Sequence, residues 1–182
     1  SSRGILIVGA NAVSKSIGTY LQQNKRHVVV VDNNPNNIEN IKKAGLNALQ
    51  ANVFQDNLSD QLDLVDIGYL MAITSSSDVN NYAVKKYKNL FGEQGAFRLL
   101  ATSETRLAKA ALPQTNILSY QNDFLQLASI VHDYPDMKEI KANNLEHLKT
   151  LLASMANEKK RAPIFLKYKN DVVVIPVDLD TI

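Results

Sequence analysis

The sequence predicts an α/β fold, in which a doubly wound parallel sheet is followed by a small C-terminal α+β extension. Three observations support this prediction. Short β-branched apolar runs alternate with segments of helical periodicity through the first two thirds of the chain. A glycine turn joins the first run to the first helix, and the alternation stops near Tyr134-Pro135. Strands that are separated by helices in this way form right-handed βαβ units and a parallel sheet.

The periodicity predicts strands and helices in alternation up to residue 119. Each predicted strand is a short apolar run, and each predicted helix has apolar residues at three- and four-residue spacing. The predicted strands are residues 5–8, 27–31, 48–51, 69–73, 96–101 and a short sixth strand at 117–119. The predicted helices begin at residue 14 and then cover residues 35–44, 58–65, 79–91 and 104–112, where Pro113 ends the last one.

The pattern changes after residue 120. We predict a connecting helix at 122–132, a strand at 138–141, a helix at 145–158 and a final hairpin. The hairpin strands are residues 164–168 and 172–177. The predicted domain boundaries are 4–120 for the α/β domain, 121–136 for the connecting helix and 137–182 for the small α+β unit. A unit of about 50 residues is marginal alone, so we expect it to pack on the first domain or on a partner.

Composition excludes several classes of function. The chain of 182 residues is 45% hydrophobic and has a net charge of only +2, so no nucleic-acid partner is indicated. The absence of cysteine excludes disulfides, thiolate catalysis and Cys-ligated metals. The three histidines lie far apart without the spacing of metal ligands, so we predict no metal site. No catalytic group is predicted either. Because the sequence begins without methionine, we expect a domain of a longer protein.

The turn Gly9-Ala-Asn-Ala-Val-Ser14 is typical of a phosphate-binding turn. The dinucleotide fingerprint G-x-G-x-x-G lies between a strand and a helix, with an acidic residue about 20 residues further on. Gly9 keeps the first glycine, and Asp32 ends the second strand where that acid is expected. Asn11 and Ser14 replace the other two glycines. The sequence therefore predicts a Rossmann-like domain, with a dinucleotide, a mononucleotide or an empty site as alternatives.

Each of these residues also has a structural interpretation. Gly9 could simply end its strand, and Asp32 could organise the following turn and cap the next helix. The serines at 75–77 could bind a ligand or cap the helix that follows them. Arg98 could pair with a phosphate or with a carboxylate, and we favour the structural pairing.

Five segments, in order along residues 4–120, resemble the TrkA-N domain, which is also called the RCK or KTN domain. They are residues 5–14, 28–35, 51–54, 72–80 and 97–99. The resemblance implies a nucleotide site at the carboxyl ends of the strands, with NAD(H) or an adenine nucleotide such as AMP, ADP or ATP as the ligand. By position, the implied site comprises Gly9, Asn11, Ala12, Val13 and Ser14 at the phosphates, Asp32 and Asn33 at the ribose, Asn52 and Val53 at the adenine, and Thr74 and Ser75 along the cleft.

The same resemblance implies a regulatory domain rather than an enzyme. Members of this family are cytoplasmic domains of potassium or sodium transporters and cation:proton antiporters, and they usually form dimers. We therefore expect a homodimer that acts on a membrane transporter from the cytoplasmic side of the cell membrane. The final hairpin is similar to a reduced RCK C-terminal domain. A fragment of an NAD(P)-dependent oxidoreductase and a degenerate dimerisation scaffold without a ligand remain as alternatives.

Overall fold

A five-stranded parallel sheet forms the centre of the molecule. The computed structural model describes residues 3–107, 112–113 and 115–181. The strands are β1 (Gly4–Val8), β2 (Val28–Asp32), β3 (Asn47–Gln50), β4 (Ile67–Ala72) and β5 (Ala96–Arg98). Their order across the sheet is β3-β2-β1-β4-β5, and all neighbouring pairs are parallel. This order is that of a Rossmann fold, with the change of direction between β1 and β4. The predicted fold class is therefore confirmed.

The described residues form seven α-helices. They are α1 (Ala12–Gln23), α2 (Pro35–Lys43), α3 (Leu58–Gln61), α4 (Ser77–Phe91), α5 (Thr102–Thr105), α6 (Phe124–Asp133) and α7 (Leu145–Met155). Pro35 occupies the first position of α2, where its missing N–H costs no hydrogen bond. None of the helices in the described ranges is long and apolar enough to cross a membrane.

The strand β1 contributes side chains to the apolar cores on both faces of the sheet. Ile5 and Ile7 belong to the cluster that contains the apolar residues of α1 and α2. Leu6 and Val8 belong to the cluster that contains the apolar residues of α3 and α4. Because successive side chains of a strand point to opposite faces, an unbroken apolar run buries both faces at once. The sheet is thus doubly wound.

The C-terminal hairpin packs on the α1 face. Its strands are β6 (Phe165–Tyr168) and β7 (Asp171–Val174), which pair antiparallel. Lys169 and Asn170 form the two-residue turn with φ values of 50° and 64°, as a type I′ turn requires. Ile164 and Val172 are buried in the same cluster as β1 and α1. The hairpin therefore shares the core of the parallel sheet.

Several element boundaries differ from the predicted ones. Residues 138–141 form no strand: their side chains are exposed, and Glu139 is held by side-chain hydrogen bonds with Tyr20 and Lys167 rather than by a backbone ladder. The sixth strand is reduced to one parallel bridge between Arg98 and Ile117. The helix predicted at 58–65 ends at Gln61, since Leu62 adopts an extended conformation. The helix predicted at 104–112 is the single turn α5, and residues 108–111 of that prediction lie outside the described residues.

Candidate ligand-binding cleft at the carboxyl edge of the sheet

A cleft of about 120 Å³ opens at the carboxyl ends of β1, β2 and β4. We call this end of the sheet the carboxyl edge. The residues that line the cleft come from the ends of three strands, the loop after β3 and the first turn of α4. They are Val8, Gly9, Val31, Asp32, Asn33, Ala51, Asn52, Val53, Phe54, Thr74 and Val79. This place, where the strand order changes direction, is where open α/β sheets bind ligands.

Gly9 fixes the turn between β1 and α1. Its φ is 111°, a value that side chains rarely allow. A Cβ atom at this position would lie 2.3 Å from the carbonyl oxygen of Ile73 at the end of β4. The turn therefore packs directly against the neighbouring strand, and only glycine permits this approach.

Asn11 and Ser14, which replace two fingerprint glycines, cap α1 together. The Ser14 N–H donates to Asn11 Oδ1 (3.0 Å), and the Asn11 N–H donates to Ser14 Oγ (2.9 Å). Asn11 Nδ2 also donates to the Ile73 carbonyl oxygen (2.8 Å). This reciprocal capping box explains why the turn keeps its shape without the glycines. The buried Ser14 hydroxyl serves the cap, whereas contact of either side chain with a phosphate stays a prediction.

Two backbone donors at the start of α1 remain available. Within the described residues, the N–H groups of Ala12 and Val13 have no hydrogen-bond partner. The N–H groups of Ala10, Asn11 and Ser14 in the same turn all donate to side chains. Unpaired amides at a helix N-terminus, together with the helix dipole, stabilise a bound anion.

Asp32 joins the turn to the second βα connection. Its Oδ2 accepts the Ala10 N–H (2.8 Å), and its Oδ1 accepts the Asn34 N–H (2.8 Å). Asp32 therefore organises this turn, as its structural interpretation expects, but α2 is capped by Asn34, whose Oδ1 accepts the Asn36 N–H (2.9 Å). An ionised carboxylate has about four acceptor sites, so this arrangement leaves lone pairs for ribose hydroxyls. The ribose contacts of Asp32 and of its neighbour Asn33 remain predictions.

The loop after β3 forms one wall of the cleft. Asn52 Oδ1 accepts the Phe54 N–H (2.9 Å), and the Asn52 N–H donates to Asp56 Oδ2 (2.7 Å). Val53 is buried, and its carbonyl oxygen accepts from Lys86 Nζ on α4 (3.0 Å). The predicted adenine contacts Asn52 and Val53 thus lie in the cleft on a wall with several internal hydrogen bonds.

The segment after β4 also contributes to the lining of the cleft. Thr74 lines the cleft, and its hydroxyl donates to Oδ1 of the fully buried Asn80 (2.6 Å). Asn80 Nδ2 in turn donates to the carbonyl oxygens of Thr74 and Leu99. Ser76 caps α4 by accepting the Val79 N–H (3.2 Å). Ser75 is exposed and does not line the cleft.

The structure distributes the predicted site residues over two recesses. Six of them line the cleft: Gly9, Asp32, Asn33, Asn52, Val53 and Thr74. A second recess of about 150 Å³ lies beside the turn, between α1 and α2. It is lined by Ala10, Asn11, Ala12, Lys15, Asn37, Asn40 and Ile41. Val13 and Ser14, in the first turn of α1, line neither recess; among the described residues the Val13 N–H has no partner, whereas the Ser14 N–H donates to Asn11.

Sequence reasoning missed several residues of the site. The most prominent is Phe54, which lines the cleft and is 48% exposed. Phe54 belongs to the segment 51–54 that resembles the family, and this indicates that it lies near the site. The sequence alone does not show which side chains surround it. Lys15 was also missed, and it brings the one cationic side chain to the described lining of the two recesses.

Arg98 lines neither recess. Arg98 is buried and pairs with Glu104 (2.5 Å), as the structural interpretation predicts. Glu104 also accepts the Ala101 N–H, so this pair organises the end of β5. In the described part of the chain, no group of three His, Cys, Asp or Glu residues could hold a metal ion.

The sheet order, the preformed turn and the acid at the end of β2 together define a nucleotide-binding domain of Rossmann type. The family comparison agrees with this class. Residues 5–117 match the TrkA-N domain, and the chain belongs to that family.

Two solved structures are similar to part of this chain. One is the NAD(P)-binding domain of an exopolyphosphatase-related protein from Archaeoglobus fulgidus. It has 20% sequence identity and a TM-score of 0.41, over 57% of this chain and 91% of that one. The other is apo saccharopine dehydrogenase (L-Glu forming) from Saccharomyces cerevisiae. It has 19% identity and a TM-score of 0.41, over 50% of this chain and 20% of the enzyme. Comparison with curated proteins gives no match.

Proposed function

We propose that this chain is a regulatory domain that binds an adenine nucleotide or NAD(H) at the carboxyl edge of its sheet. The domain would form a homodimer and control a potassium or sodium transporter or antiporter from the cytoplasmic side of the cell membrane. Membership of the TrkA-N family supports nucleotide binding. The resemblance to RCK domains favours the transporter as the partner.

The pair of unpaired amides at Ala12 and Val13 carries the ligand part of this proposal. A phosphate above the turn would accept from both N–H groups and would lie at the positive end of the α1 dipole. Because Gly9, Asn11 and Ser14 hold the turn in place through their own contacts, binding requires little ordering of the backbone.

The size of the cleft favours a ligand that lies partly on the surface. Its volume of about 120 Å³ is smaller than the roughly 300–1,000 Å³ of ordinary ligand pockets. The second recess, on the other side of the turn, adds about 150 Å³. A nucleoside in the cleft with its phosphates above the turn fits this arrangement better than a fully enclosed dinucleotide.

Regulation follows from differential affinity. A nucleotide changes the balance between two dimer arrangements only if it binds one of them more tightly. By linkage, the transporter state would change the affinity for the nucleotide by the same factor.

The lining of the cleft favours binding over catalysis. Among the described residues of the lining, Asp32 is the one titratable group. Both of its carboxylate oxygens accept backbone N–H groups. A hydride-transfer enzyme of the oxidoreductase class would need an acid or base free to act beside the nicotinamide.

Isothermal titration calorimetry with NAD⁺, NADH, AMP, ADP, ATP and phosphate-free adenosine tests the proposal. We expect saturable binding of at least one phosphorylated ligand and much weaker binding of adenosine. The same titrations in an analytical ultracentrifuge would show whether the ligand changes the dimer. Hydride transfer to any substrate would favour the oxidoreductase, and no heat or thermal shift with the whole panel would favour the degenerate scaffold.

A further inference from the structure

Phe54 is an exposed aromatic residue in a cleft whose other apolar residues are mostly buried. Val8, Val31 and Ala51 in the same lining are 4%, 2% and 7% exposed, whereas Phe54 is 48% exposed. A phenyl ring held at a cleft in contact with water offers an apolar, planar surface to whatever enters.

The Phe54 ring rests on a second aromatic ring. The centroids of Phe54 and Tyr82 are 4.7 Å apart, and the ring planes are inclined by 43°. Tyr82 lies on α4, so the helix supports one side of the Phe54 ring. Such a pair is favourable by itself, and it restricts the rotation of the exposed ring.

The backbone that carries Phe54 is held by Lys86, one helical turn after Tyr82. Lys86 Nζ donates to the carbonyl oxygens of Val53 (3.0 Å) and Asp56 (2.7 Å), on both sides of Phe54. The ammonium group also lies 5.7 Å from the ring centre of Tyr82 and 5.5 Å from that of Tyr87. One side chain thus connects the loop to α4 and to the ring that supports Phe54.

We propose that Phe54 and Tyr82 form a stacking platform for the planar base of a nucleotide, and that Lys86 is the positioning residue that holds this platform. The inference rests on the proposed function, which it deepens by naming the aromatic side chains that would stack on the base, beside the adenine position that the family resemblance implies at Asn52 and Val53. Phe54 and Asp32 line the same cleft, so a stacked base leaves its ribose on the side of the acid. Stacking on an aromatic ring is sequence-tolerant, because every base has a π-face.

The side-chain amide of Asn52 lies in the same cleft as Phe54. Asn52 Oδ1 is occupied by the Phe54 N–H, and Asn52 Nδ2 has no partner among the described residues. The free amide nitrogen is a donor. It suits an acceptor on the base edge, such as a ring nitrogen or a carbonyl oxygen.

A tryptophan substitution gives a direct readout, because the sequence contains no tryptophan. In Phe54→Trp, NAD⁺ or ADP should quench the single indole fluorescence saturably, whereas inorganic pyrophosphate should leave it unchanged. Phe91→Trp is the matched control, since Phe91 also packs on a tyrosine of α4 but does not line the cleft. We expect no quenching in that control.

Affinity provides the second readout. Stacking of a base on an aromatic ring changes affinity by about tenfold or more. Phe54→Leu should therefore weaken ADP and NAD⁺ about tenfold and leave the affinity for pyrophosphate unchanged, while Phe91→Leu should bind all three like the wild type. Equal ADP affinity in Phe54→Leu and the wild type would overturn the platform and leave nucleotide binding intact. Failure of the wild type to bind ADP or NAD⁺ would overturn both proposals.

A comparison of ADP with pyrophosphate tests the role of Lys86, because pyrophosphate has phosphates but no base. Lys86→Met keeps an apolar stem but removes the ammonium group that makes both hydrogen bonds, so ADP should bind about fivefold more weakly while pyrophosphate binds as before. Amide hydrogen exchange at residues 52–56 should become faster, and Lys86→Arg should restore part of the ADP affinity. The exposed Lys85→Met is the control. Equal losses for ADP and pyrophosphate in Lys86→Met would overturn the positioning role.

Discussion

The two ends of the parallel sheet use polar groups in opposite ways. At the carboxyl edge, the turn before α1 leaves the N–H groups of Ala12 and Val13 without partners among the described residues. At the amino edge, the buried Arg26 donates from Nε to the Arg3 carbonyl oxygen (2.6 Å) and from Nη1 to the Val172 carbonyl oxygen (2.9 Å).

Further contacts complete the amino edge. The Arg26 guanidinium lies 5.2 Å from the ring centre of Tyr69, and Arg3 forms an ion pair with Asp171 at the start of β7. Burial lowers the pKa of Arg26, to which nearby Arg3 also contributes. The difference between the ends indicates their roles: satisfied groups attach the hairpin to the sheet, and unsatisfied groups are available to a ligand.

The largest expected effect on stability is at Gly9, where the carboxyl edge has no room for a side chain. Gly9→Ala should lower the free energy of unfolding by about 3 kcal/mol, because both the backbone angle and the contact with Ile73 become unfavourable. Urea denaturation measures this effect. Gly45→Ala is the control: φ there is 88°, and nothing lies within 4 Å of the added Cβ. It should cost about 1 kcal/mol, and equal losses in the two variants would contradict the close approach.

Arg26 tests the amino edge. Arg26→Met should cost about 2 kcal/mol, since the buried hydrogen bond to the Val172 carbonyl oxygen and the partly buried one to the Arg3 carbonyl oxygen are lost. Hydrogen exchange in β6 and β7 should accelerate, while ADP affinity stays the same. Arg161→Met removes an exposed pair with Glu158 and should leave stability unchanged. A threefold or larger change of ADP affinity in Arg26→Met would show that the two ends are coupled.

Ala12→Pro tests the unpaired amides with little change to the fold. Proline is favoured at the first helical position, and Asn11 before it has the extended conformation that proline requires. Loss of one charge-assisted donor should weaken ADP about tenfold and leave adenosine unaffected. Leu145→Pro, at the first position of α7 after the extended Asn144, is the matched control. Calorimetry that finds unchanged ADP affinity in Ala12→Pro would remove this N–H from the phosphate site.

The smallest expected effect is a pH dependence of stability at Tyr20 on α1, which contacts Glu139 and Phe165. Burial, together with the hydrogen bond to Glu139, raises the pKa of Tyr20 to about 12 from its ordinary 10.0. The neutral phenol is the form that the folded state favours. The neutral Tyr20 therefore makes its full contribution to the free energy of unfolding below pH 10, and this contribution is lost as pH rises towards 12. Urea unfolding of Tyr20→Phe should show a flatter decline across this interval than the wild type, and parallel declines would contradict the assignment.

Much of the fold could be predicted from local pattern. The apolar runs, Pro35 and the glycine turn identified the five strands of the sheet and most of the helices, because strand and helix periodicity are properties of neighbouring residues. The single-turn helices and the segment at 138–141 were less predictable. In that segment, Ile140 is 52% exposed and Glu139 bonds to Tyr20 and Lys167, so its contacts belong to side chains rather than to a strand.

The sequence by itself determined the parallel sheet, the turn at Gly9, the acid at Asp32 and the membership of the TrkA-N pattern. These features depend on short spacings and on the backbone angles that each residue allows. The tertiary structure decided which polar groups stay free and which rings meet. Phe54, Tyr82 and Lys86 come together only because β3 and α4, which are distant in sequence, are brought to one cleft by the order of the strands. Contacts of this kind depend on packing, and no local pattern contains them.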